Sequence, residues 1–197
     1  KIISIVAQTM DLHEKHVEVG HILPAPISRM LQSKLSEYTI KLLRGFKVEY
    51  GACHIEVRVE KNEIYTLDFA SRMGGWRDLM IECVLGEGYM DAFIKSHIRS
   101  EKLDYSFLYQ PNDNYRSEFC VARMAFTLTD LQLLENLLQI GSCEFQCIDR
   151  SLIHVDQEGA KRSLSASAGH FLYKSNIENE QNYVSKFKCP NLLDGFI

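Results

Sequence analysis

One stretch of this chain, GACHIEVRVEKNEIYTLDFASRMGG, constrains the fold more than any other part of the sequence. Its β-branched, aromatic and other apolar residues form two runs that are separated by a short polar link. This pattern predicts two neighbouring antiparallel strands, at about 52–60 and 64–70. The chain therefore has to fold around a β-hairpin in which polar residues interrupt each apolar run.

The polar residues of this hairpin indicate a chemical site. Glu56 lies in the first strand, Asp68 in the second, and Arg72, Gly74 and Gly75 follow in a turn. Mg²⁺ prefers oxygen ligands and usually shares one or two carboxylates with substrate phosphates. An arginine stabilises negative charge that develops during group transfer. The spacing therefore predicts a site for a hard cation beside a phosphate.

The turn of the hairpin decides whether the two carboxylates meet. Residues opposite each other in an antiparallel pair lie on the same face. Glu56 faces Asp68 only if the loop has an odd number of residues or if a bulge shifts the pairing. We predict a three-residue loop at residues 61–63, with Asn62 in a left-handed conformation.

Composition limits the class of protein. The 197 residues suffice for one large or two small domains. A hydrophobic fraction of 46% and a charged fraction of 24% are typical of globular proteins. The net charge of −4 argues against nucleic acid as a partner, and no apolar run is long enough to span a membrane. The six cysteines form no CxxC pair, so we expect reduced thiols in a cytoplasmic protein.

The order of elements predicts an α+β fold. Residues 2–10 and 16–26 resemble strands, and Ser28 is placed to cap a helix that ends at Gly45. The apolar face of that helix is predicted to consist of Leu31, Leu35, Tyr38 and Leu42. Further helices are expected at 76–85 and 89–98, and strands at 118–127, 143–149, 152–155 and 169–175.

A helix that follows the 118–127 strand is expected to be capped by Thr129. Leu131, Leu134, Leu138 and Ile140 are expected to face inward from this helix. A polar stretch at 99–116 indicates a boundary between two domains. We predict an antiparallel sheet with helices on one face in residues 1–103, and a small α/β subdomain in residues 117–197.

Three segments, read in order, resemble a known family. They are HVEVGHILPAPIS, GFKVEYGACHIEVRV and TLDFASRMGG. Together they look like the C-terminal half of ATP-grasp carboxylate–amine ligases, and they are most similar to the branch that joins amino acids into dipeptides. SLSASAGHFLYKS resembles the last segment of the small domain that ends such enzymes. The resemblance implies an ATP-grasp fold and an enzyme that converts a carboxylate into an acyl phosphate, which an amine then attacks.

The resemblance also implies roles for particular residues. Glu56 and Asp68 correspond to metal-binding carboxylates, with ATP and Mg²⁺ or Mn²⁺ as cofactors. Arg72 corresponds to the arginine that stabilises the acyl phosphate. Gly74 and Gly75 correspond to glycines that let the backbone approach the substrate. The implied substrates are an amino acid or other carboxylate and an amine.

In VEVGH, Glu18 and His21 correspond to positions that face the amino-acid substrate in dipeptide-forming relatives. A carboxylate such as Glu18 suits a substrate ammonium group. Side chains alternate along a strand, so an undisturbed strand would direct Glu18 and His21 to opposite faces. Our hypothesis is that a bend at Gly20 brings them together.

The sequence departs from the family pattern in several places. Ala70 stands where the family has an asparagine ligand, Met73 replaces a proline, and Asp68 is one methylene shorter than the usual glutamate. The losses at Ala70 and Asp68 weaken a two-metal arrangement. The family's first half, with its lid and lysines over the ATP phosphates, has no counterpart in this sequence, and no Walker-type loop replaces it. We therefore expect a C-terminal fragment that is inactive alone and is completed by another chain or segment.

Other interpretations remain open at this point. Glu56 and Asp68 could be solvated strand residues, and Arg72 could simply pair with Asp68. For the whole chain, the main alternative is a non-catalytic binding or assembly module derived from an ATP-grasp enzyme. A carboxylating or carbamate-forming enzyme of the biotin carboxylase type is a third interpretation, and the VEVGH segment argues against it.

Overall fold

The computed structural model describes residues 2–11, 17–75, 77–85, 89–98, 119–138, 143–148, 169–176 and 180. The strands and helices in these residues are β1 (Ala7–Asp11), β2 (Val17–Leu23), α1 (Arg29–Gly45), β3 (His54–Glu60), β4 (Glu63–Ala70), α2 (Arg77–Leu85), α3 (Tyr89–Ser96), β5 (Phe119–Ala125), α4 (Leu128–Leu138), β6 (Cys143–Ile148) and β7 (Gly169–Ser175). The mixture of helices and antiparallel sheets confirms the predicted α+β class. No helix within these ranges is long and apolar enough to cross a membrane.

Contacts within the chain divide it into two compact units. The first combines Lys1–Ile5 with Ile27–Pro111, and the second combines Val6–Pro26 with Asn112–Ile197. The second unit therefore joins segments that are far apart in sequence. The division into domains at 1–103 and 117–197 stays a prediction.

The second unit is built on a five-stranded sheet in the order β1-β2-β5-β7-β6, with every neighbouring pair antiparallel. Strand β1 is shorter than the 2–10 strand predicted from the sequence, because it begins at Ala7. Ala7 pairs with Ile22, and β2 ends at Leu23, directly before Pro24. Proline has no backbone N–H to donate, so it limits extension of the ladder toward residues 2–6.

The core of the second unit lies between this sheet and α4. Val121 of β5 and Phe171 of β7 are buried against Leu131 and Leu134 of α4, as predicted for those two leucines. The exposure of Leu138 and the position of Ile140 lie outside the described residues. The predicted strand at 152–155 also lies outside them.

The cap of α4 differs from the prediction. Thr127, and not Thr129, precedes the helix and accepts a hydrogen bond through Oγ1 from the Asp130 amide, at 3.1 Å. The Asp130 carboxylate accepts in return from the Thr127 amide at 2.9 Å. This reciprocal arrangement satisfies two amides that the first helical turn leaves without helical partners, which explains why the helix starts two residues earlier than expected.

In the first unit, α1 covers one face of the β3–β4 hairpin. Ser28 caps α1 as predicted, accepting a hydrogen bond from the Leu31 amide at 3.2 Å. Tyr38 reaches Thr66 of β4 with an O–O distance of 2.8 Å. The ring of Phe46, just beyond the helix, lies 4.9 Å from the ring of Phe69. These contacts fix the hairpin against the helix along most of its length.

A buried ion pair ties residue 180 to the sheet of the second unit. The Arg123 guanidinium donates to Glu180 at 2.6 Å and to Thr9 at 2.7 Å, and Tyr173 donates to the other Glu180 oxygen at 3.1 Å. Both charged side chains are at most 1% exposed. Gly20 makes room for this network, since an added Cβ would lie 2.5 Å from Arg123 Nη1.

We predict that Arg123→Met lowers the free energy of unfolding by about 3–5 kcal/mol, because it leaves Glu180 as an uncompensated buried charge. Arg123→Met combined with Glu180→Leu should recover much of this loss, since no charge then remains unpaired. Urea unfolding followed by circular dichroism measures both. Arg58→Met, at an exposed strand position, is the control. If Arg123→Met changes the free energy of unfolding no more than Arg58→Met does, the ion pair does not have this stabilising role.

Candidate active site

The turn of the β3–β4 hairpin contains two residues rather than the three predicted. Glu60 pairs with Glu63, and only Lys61 and Asn62 lie between them. Both adopt left-handed backbone conformations, with φ angles of 50° for Lys61 and 68° for Asn62. Positive φ at both positions is what a type I′ turn requires, and this turn matches the twist of the flanking strands. The predicted three-residue loop is therefore wrong, although Asn62 is left-handed as expected.

A β-bulge restores the pairing that this shorter turn would have lost. The register is regular from the turn to Val57, which pairs with Thr66. It then shifts by one residue, so Glu56 pairs with Asp68 and Leu67 becomes the extra residue of β4. A bulge places two residues of one strand opposite one residue of the other. The structure thus brings Glu56 and Asp68 onto one face by a different route from the one predicted.

The two faces of the hairpin have different characters. On the face toward α1 the side chains are half-buried except for Thr66, whereas Glu60, Glu63 and Asp68 on the other face are exposed. The face toward α1 consists of Ile55, Val57, Val59, Ile64, Thr66 and Phe69. The carboxylate pair therefore lies on the polar face, which is directed away from α1.

The polar face carries negative charge and one imidazole. The Glu56 side chain is 38% exposed, and His54 Nε2 lies 3.1 Å from its Oε1. Burial raises the pKa of the neighbouring Cys53 thiol, so Cys53 is a neutral thiol at neutral pH. Within the described residues, no three His, Cys, Asp or Glu side chains are grouped closely enough to hold a metal ion.

This donor set fits one kind of metal site and not another. A cage made only of protein ligands would need more oxygens than Glu56 and Asp68 provide. Mg²⁺ keeps several waters and commonly combines one or two carboxylates with substrate phosphates. Ala70, which pairs with His54, brings no oxygen to the face. The residues therefore fit a magnesium ion that is shared with a nucleotide, and they do not fit a site that binds the metal alone.

The segment after β4 presents Arg72 and two glycines in different environments. Arg72 is exposed, and its guanidinium donates to the Met73 carbonyl at 2.8 Å rather than pairing with Asp68. Gly75 is exposed with open space where a side chain would be. Gly74 is buried, and an added Cβ would lie 2.7 Å from His54 Nδ1 and from Arg77 Cγ. Arg72 is thus accessible to a ligand, whereas Gly74 has a packing role that the sequence did not reveal.

Glu18 and His21 belong to the second unit, and a second bulge brings them together. Thr9 pairs with Gly20 and Met10 with Glu18, so Val19 is the extra residue of β2. This irregularity lies next to Gly20, where the sequence analysis placed a bend. His21 Nε2 is 2.8 Å from one Glu18 oxygen, and Gln8 Nε2 donates to the other at 2.5 Å. His21 is buried, and Glu18 is 19% exposed.

Sequence reasoning missed two partners in these groups. Gln8 lies on another strand, and no local signal connects it with Glu18 before the β1–β2 register is known. The sequence analysis assigns no role to His54, although its position two residues before Glu56 places both side chains on one strand face. This alternation, together with the neighbouring carboxylate, is the signal that could have identified His54.

Comparison with known proteins agrees with this geometry. Residues 1–79 match the model of the ATP-grasp domain family. The sequence matches no curated protein. The resemblance to the ATP-grasp family is confirmed over residues 1–79 by this match, and the solved structures described next share the fold.

Solved ATP-grasp structures share the fold at low sequence identity. Phosphoribosylglycinamide synthetase from Anaerococcus prevotii has a TM-score of 0.61 and 14% identity, covering 93% of this chain and 47% of its own. N5-carboxyaminoimidazole ribonucleotide synthetase, solved as an ADP complex, has a TM-score of 0.59 and 15% identity, with coverages of 100% and 46%. L-amino acid ligase from Bacillus licheniformis has a TM-score of 0.59 and 13% identity, with coverages of 95% and 53%. This chain thus spans about half the length of each.

The type I′ turn gives a test of the hairpin that presents the carboxylates. Lys61→Asn combined with Asn62→Gly should raise the free energy of unfolding by about 1 kcal/mol, because Asn-Gly favours positive φ at both positions and lysine does not. Asn62→Val should lower it, since a β-branched residue is strained at positive φ. Urea denaturation measures the two variants against the parent chain. No gain from Asn-Gly, with no loss from valine, would show that residues 61 and 62 do not form this turn.

Proposed function

We propose that this chain provides the part of an ATP-grasp ligase that binds the magnesium–nucleotide complex and stabilises an acyl phosphate. The observation that carries the proposal is the bulge-shifted pairing of Glu56 with Asp68 on the polar face of the hairpin, followed directly by an exposed Arg72. The match of residues 1–79 to the ATP-grasp domain model supports it.

In the proposed reaction, a carboxylate oxygen of one substrate attacks the γ-phosphorus of ATP. The bond between that phosphorus and the bridging oxygen breaks, which gives an acyl phosphate and ADP. The amine of the second substrate then attacks the acyl carbon, loses a proton and displaces phosphate, so an amide forms. Bound Mg²⁺ would neutralise charge on the phosphate oxygens during the first step.

The chain's own residues would act by positioning and by charge. Glu56 and Asp68 would hold the metal, which would neutralise charge on the nucleotide phosphates. Arg72 would donate hydrogen bonds to the acyl phosphate and then to the oxyanion of the tetrahedral intermediate, for which its planar fork of donors is suited. The exposed backbone at Gly75 would allow a substrate to approach closely.

We further propose that the substrates are an amino acid and an amine, as in the L-amino acid ligase whose fold is similar. The Glu18 carboxylate accepts from Gln8, lies 2.8 Å from His21 Nε2 and is 19% exposed. A substrate ammonium group would be attracted to this partly exposed negative charge. We place the reaction in the cytoplasm, where ATP is available and thiols such as Cys53, Cys83 and Cys120 remain reduced.

A non-catalytic binding module is the second candidate. The observation that favours it is that Ala70 brings no third oxygen to the carboxylate pair and that the described residues contain no larger ligand group. Such a module would bind a partner or an amino acid without turnover. A catalytic role, in contrast, requires a chain or segment that supplies the remainder of the ATP-grasp domain.

Calorimetric titration with a non-hydrolysable ATP analogue and Mg²⁺ tests the proposal. We expect binding only when metal and analogue are both present, because the two carboxylates need phosphate oxygens to complete the coordination. Glu56→Gln should weaken this binding at least about tenfold, since losing a contact to a charged group costs about 1.5–3 kcal/mol. Ala70→Asn should strengthen it by restoring an oxygen ligand.

Glu60→Gln is the matched control, because it removes the same charge from an exposed position of the same strand. Equal weakening by Glu56→Gln and Glu60→Gln would mean that only net charge matters. Absence of metal-dependent binding in the parent chain would count against the ligase function and favour the binding module.

A further inference from the structure

His54 and Glu56 lie on the same face of β3, two residues apart, and their side chains meet. His54 Nε2 is 3.1 Å from Glu56 Oε1, and the imidazole is only 18% exposed. Because an ionised carboxylate only accepts hydrogen bonds, this contact is a hydrogen bond in the tautomer that carries the proton on Nε2. Within the described residues, this is the only side-chain hydrogen bond made by Glu56.

Gly74 leaves the space in which the His54 imidazole lies, and we say that Gly74 seats this imidazole. A Cβ at residue 74 would lie 2.7 Å from His54 Nδ1 and 2.9 Å from its Cε1, distances that a side chain does not tolerate. The backbone of Gly74 does not adopt the left-handed conformation that favours glycine. The absence of a side chain at Gly74 is therefore explained by space and not by backbone geometry.

Ala70 cannot hydrogen-bond Glu56, so His54 is the residue of this cross-strand pair that contacts the carboxylate. Ala70 is the cross-strand partner of His54, just as Asp68 is the partner of Glu56. A methyl group neither coordinates a metal nor hydrogen-bonds a carboxylate. The orientation of Glu56 at this corner thus depends on the imidazole, and the orientation of the imidazole depends on Gly74.

We propose that His54 is a positioning residue that holds the Glu56 carboxylate in place for the metal–nucleotide complex, and that Gly74 acts by seating His54. The inference rests on the proposed function of Glu56 and assigns a role to two residues that do not themselves contact the metal. Mutating a residue that hydrogen-bonds a metal-ligating carboxylate or imidazole typically lowers metal affinity about 10–100-fold.

Variants at residues 54 and 74 test the proposal by affinity. Calorimetry with Mg²⁺ and the non-hydrolysable ATP analogue should show at least about tenfold weaker binding for His54→Ala. His54→Gln should retain most of the affinity, because its amide nitrogen can donate from nearly the position of imidazole Nε2. Gly74→Ala should weaken binding because it displaces the imidazole. Gly45→Ala, where no atom lies within 4 Å of the added carbon, is the matched glycine control.

Combining His54→Ala with Gly74→Ala shows whether Gly74 acts through His54 or independently of it. If Gly74 acts through His54, the variant with both His54→Ala and Gly74→Ala should bind as well as His54→Ala alone. A metal-free readout accompanies the titrations: ¹⁵N NMR of the parent chain should show the Nε2-protonated form of the His54 ring, and Gly74→Ala should shift its signals.

Each outcome decides a separate point. If Glu56→Gln leaves the affinity unchanged, the proposed metal site fails, and the role of His54 fails with it. If Glu56→Gln weakens binding but His54→Ala does not, the metal site stands and the positioning role is overturned. If His54→Ala and Gly74→Ala weaken binding additively, Gly74 does not act as the seat of His54. An Nδ1-protonated ring would also overturn the proposal.

Discussion

Side chains alternate between the two faces of a strand, and each of the two polar groups depends on one extra residue that changes that alternation. In β4 the extra residue is Leu67, and in β2 it is Val19. A regular hairpin with the observed two-residue turn would place Glu56 opposite Leu67, whose side chain is 61% exposed. A regular β2 would direct Glu18 and His21 to opposite faces. Both polar groups therefore exist because the local register is irregular.

The rest of the first unit keeps the β4 irregularity in place. The Thr66 hydroxyl, directly before the bulge, lies 2.8 Å from Tyr38 of α1, and Phe69, just beyond the bulge, lies against Phe46. Lys34 of the same helix donates to the Asn62 carbonyl in the turn. The helix contacts the hairpin before the extra residue, and Phe46 at its C-terminal cap contacts it beyond. These contacts oppose slippage of the register, since a slip would turn the apolar face toward solvent. The packing of α1 thus determines the direction of the carboxylates.

Local signals in the sequence predicted a considerable part of this arrangement. The hairpin strands follow from runs of β-branched residues, and the start of α1 follows from Ser28, because strand propensity and capping depend on near neighbours. The resemblance to the ATP-grasp family depended on short motifs and was confirmed over residues 1–79. The pairing of Glu56 with Asp68 was predicted as well, although through a loop length that proved wrong.

Features that depend on distant pairing could not be predicted. Nothing local to residues 17–23 shows that β2 joins β5, a hundred residues later, or that Arg123 needs the space beside Gly20. The seat of His54 against Gly74 is also a tertiary contact, and the glycine's motif position suggested substrate approach instead. The predicted three-residue loop was wrong for a related reason. The two-residue turn shifts the register by one residue, and the bulge at Leu67 shifts it back, so Glu56 still pairs with Asp68.

The most direct test of the central claim is paramagnetic broadening of backbone amide signals in ¹⁵N NMR spectra, with Mn²⁺ and a non-hydrolysable ATP analogue added together. Mn²⁺ replaces Mg²⁺ at oxygen-ligand sites and broadens signals from nearby nuclei. If Glu56 and Asp68 hold the metal–nucleotide complex, their amides and that of His54 should broaden first, and the effect should decline toward Asn62 at the turn. Broadening that is centred on another part of the chain, or that is equal at the turn and at the carboxylate pair, would contradict the account.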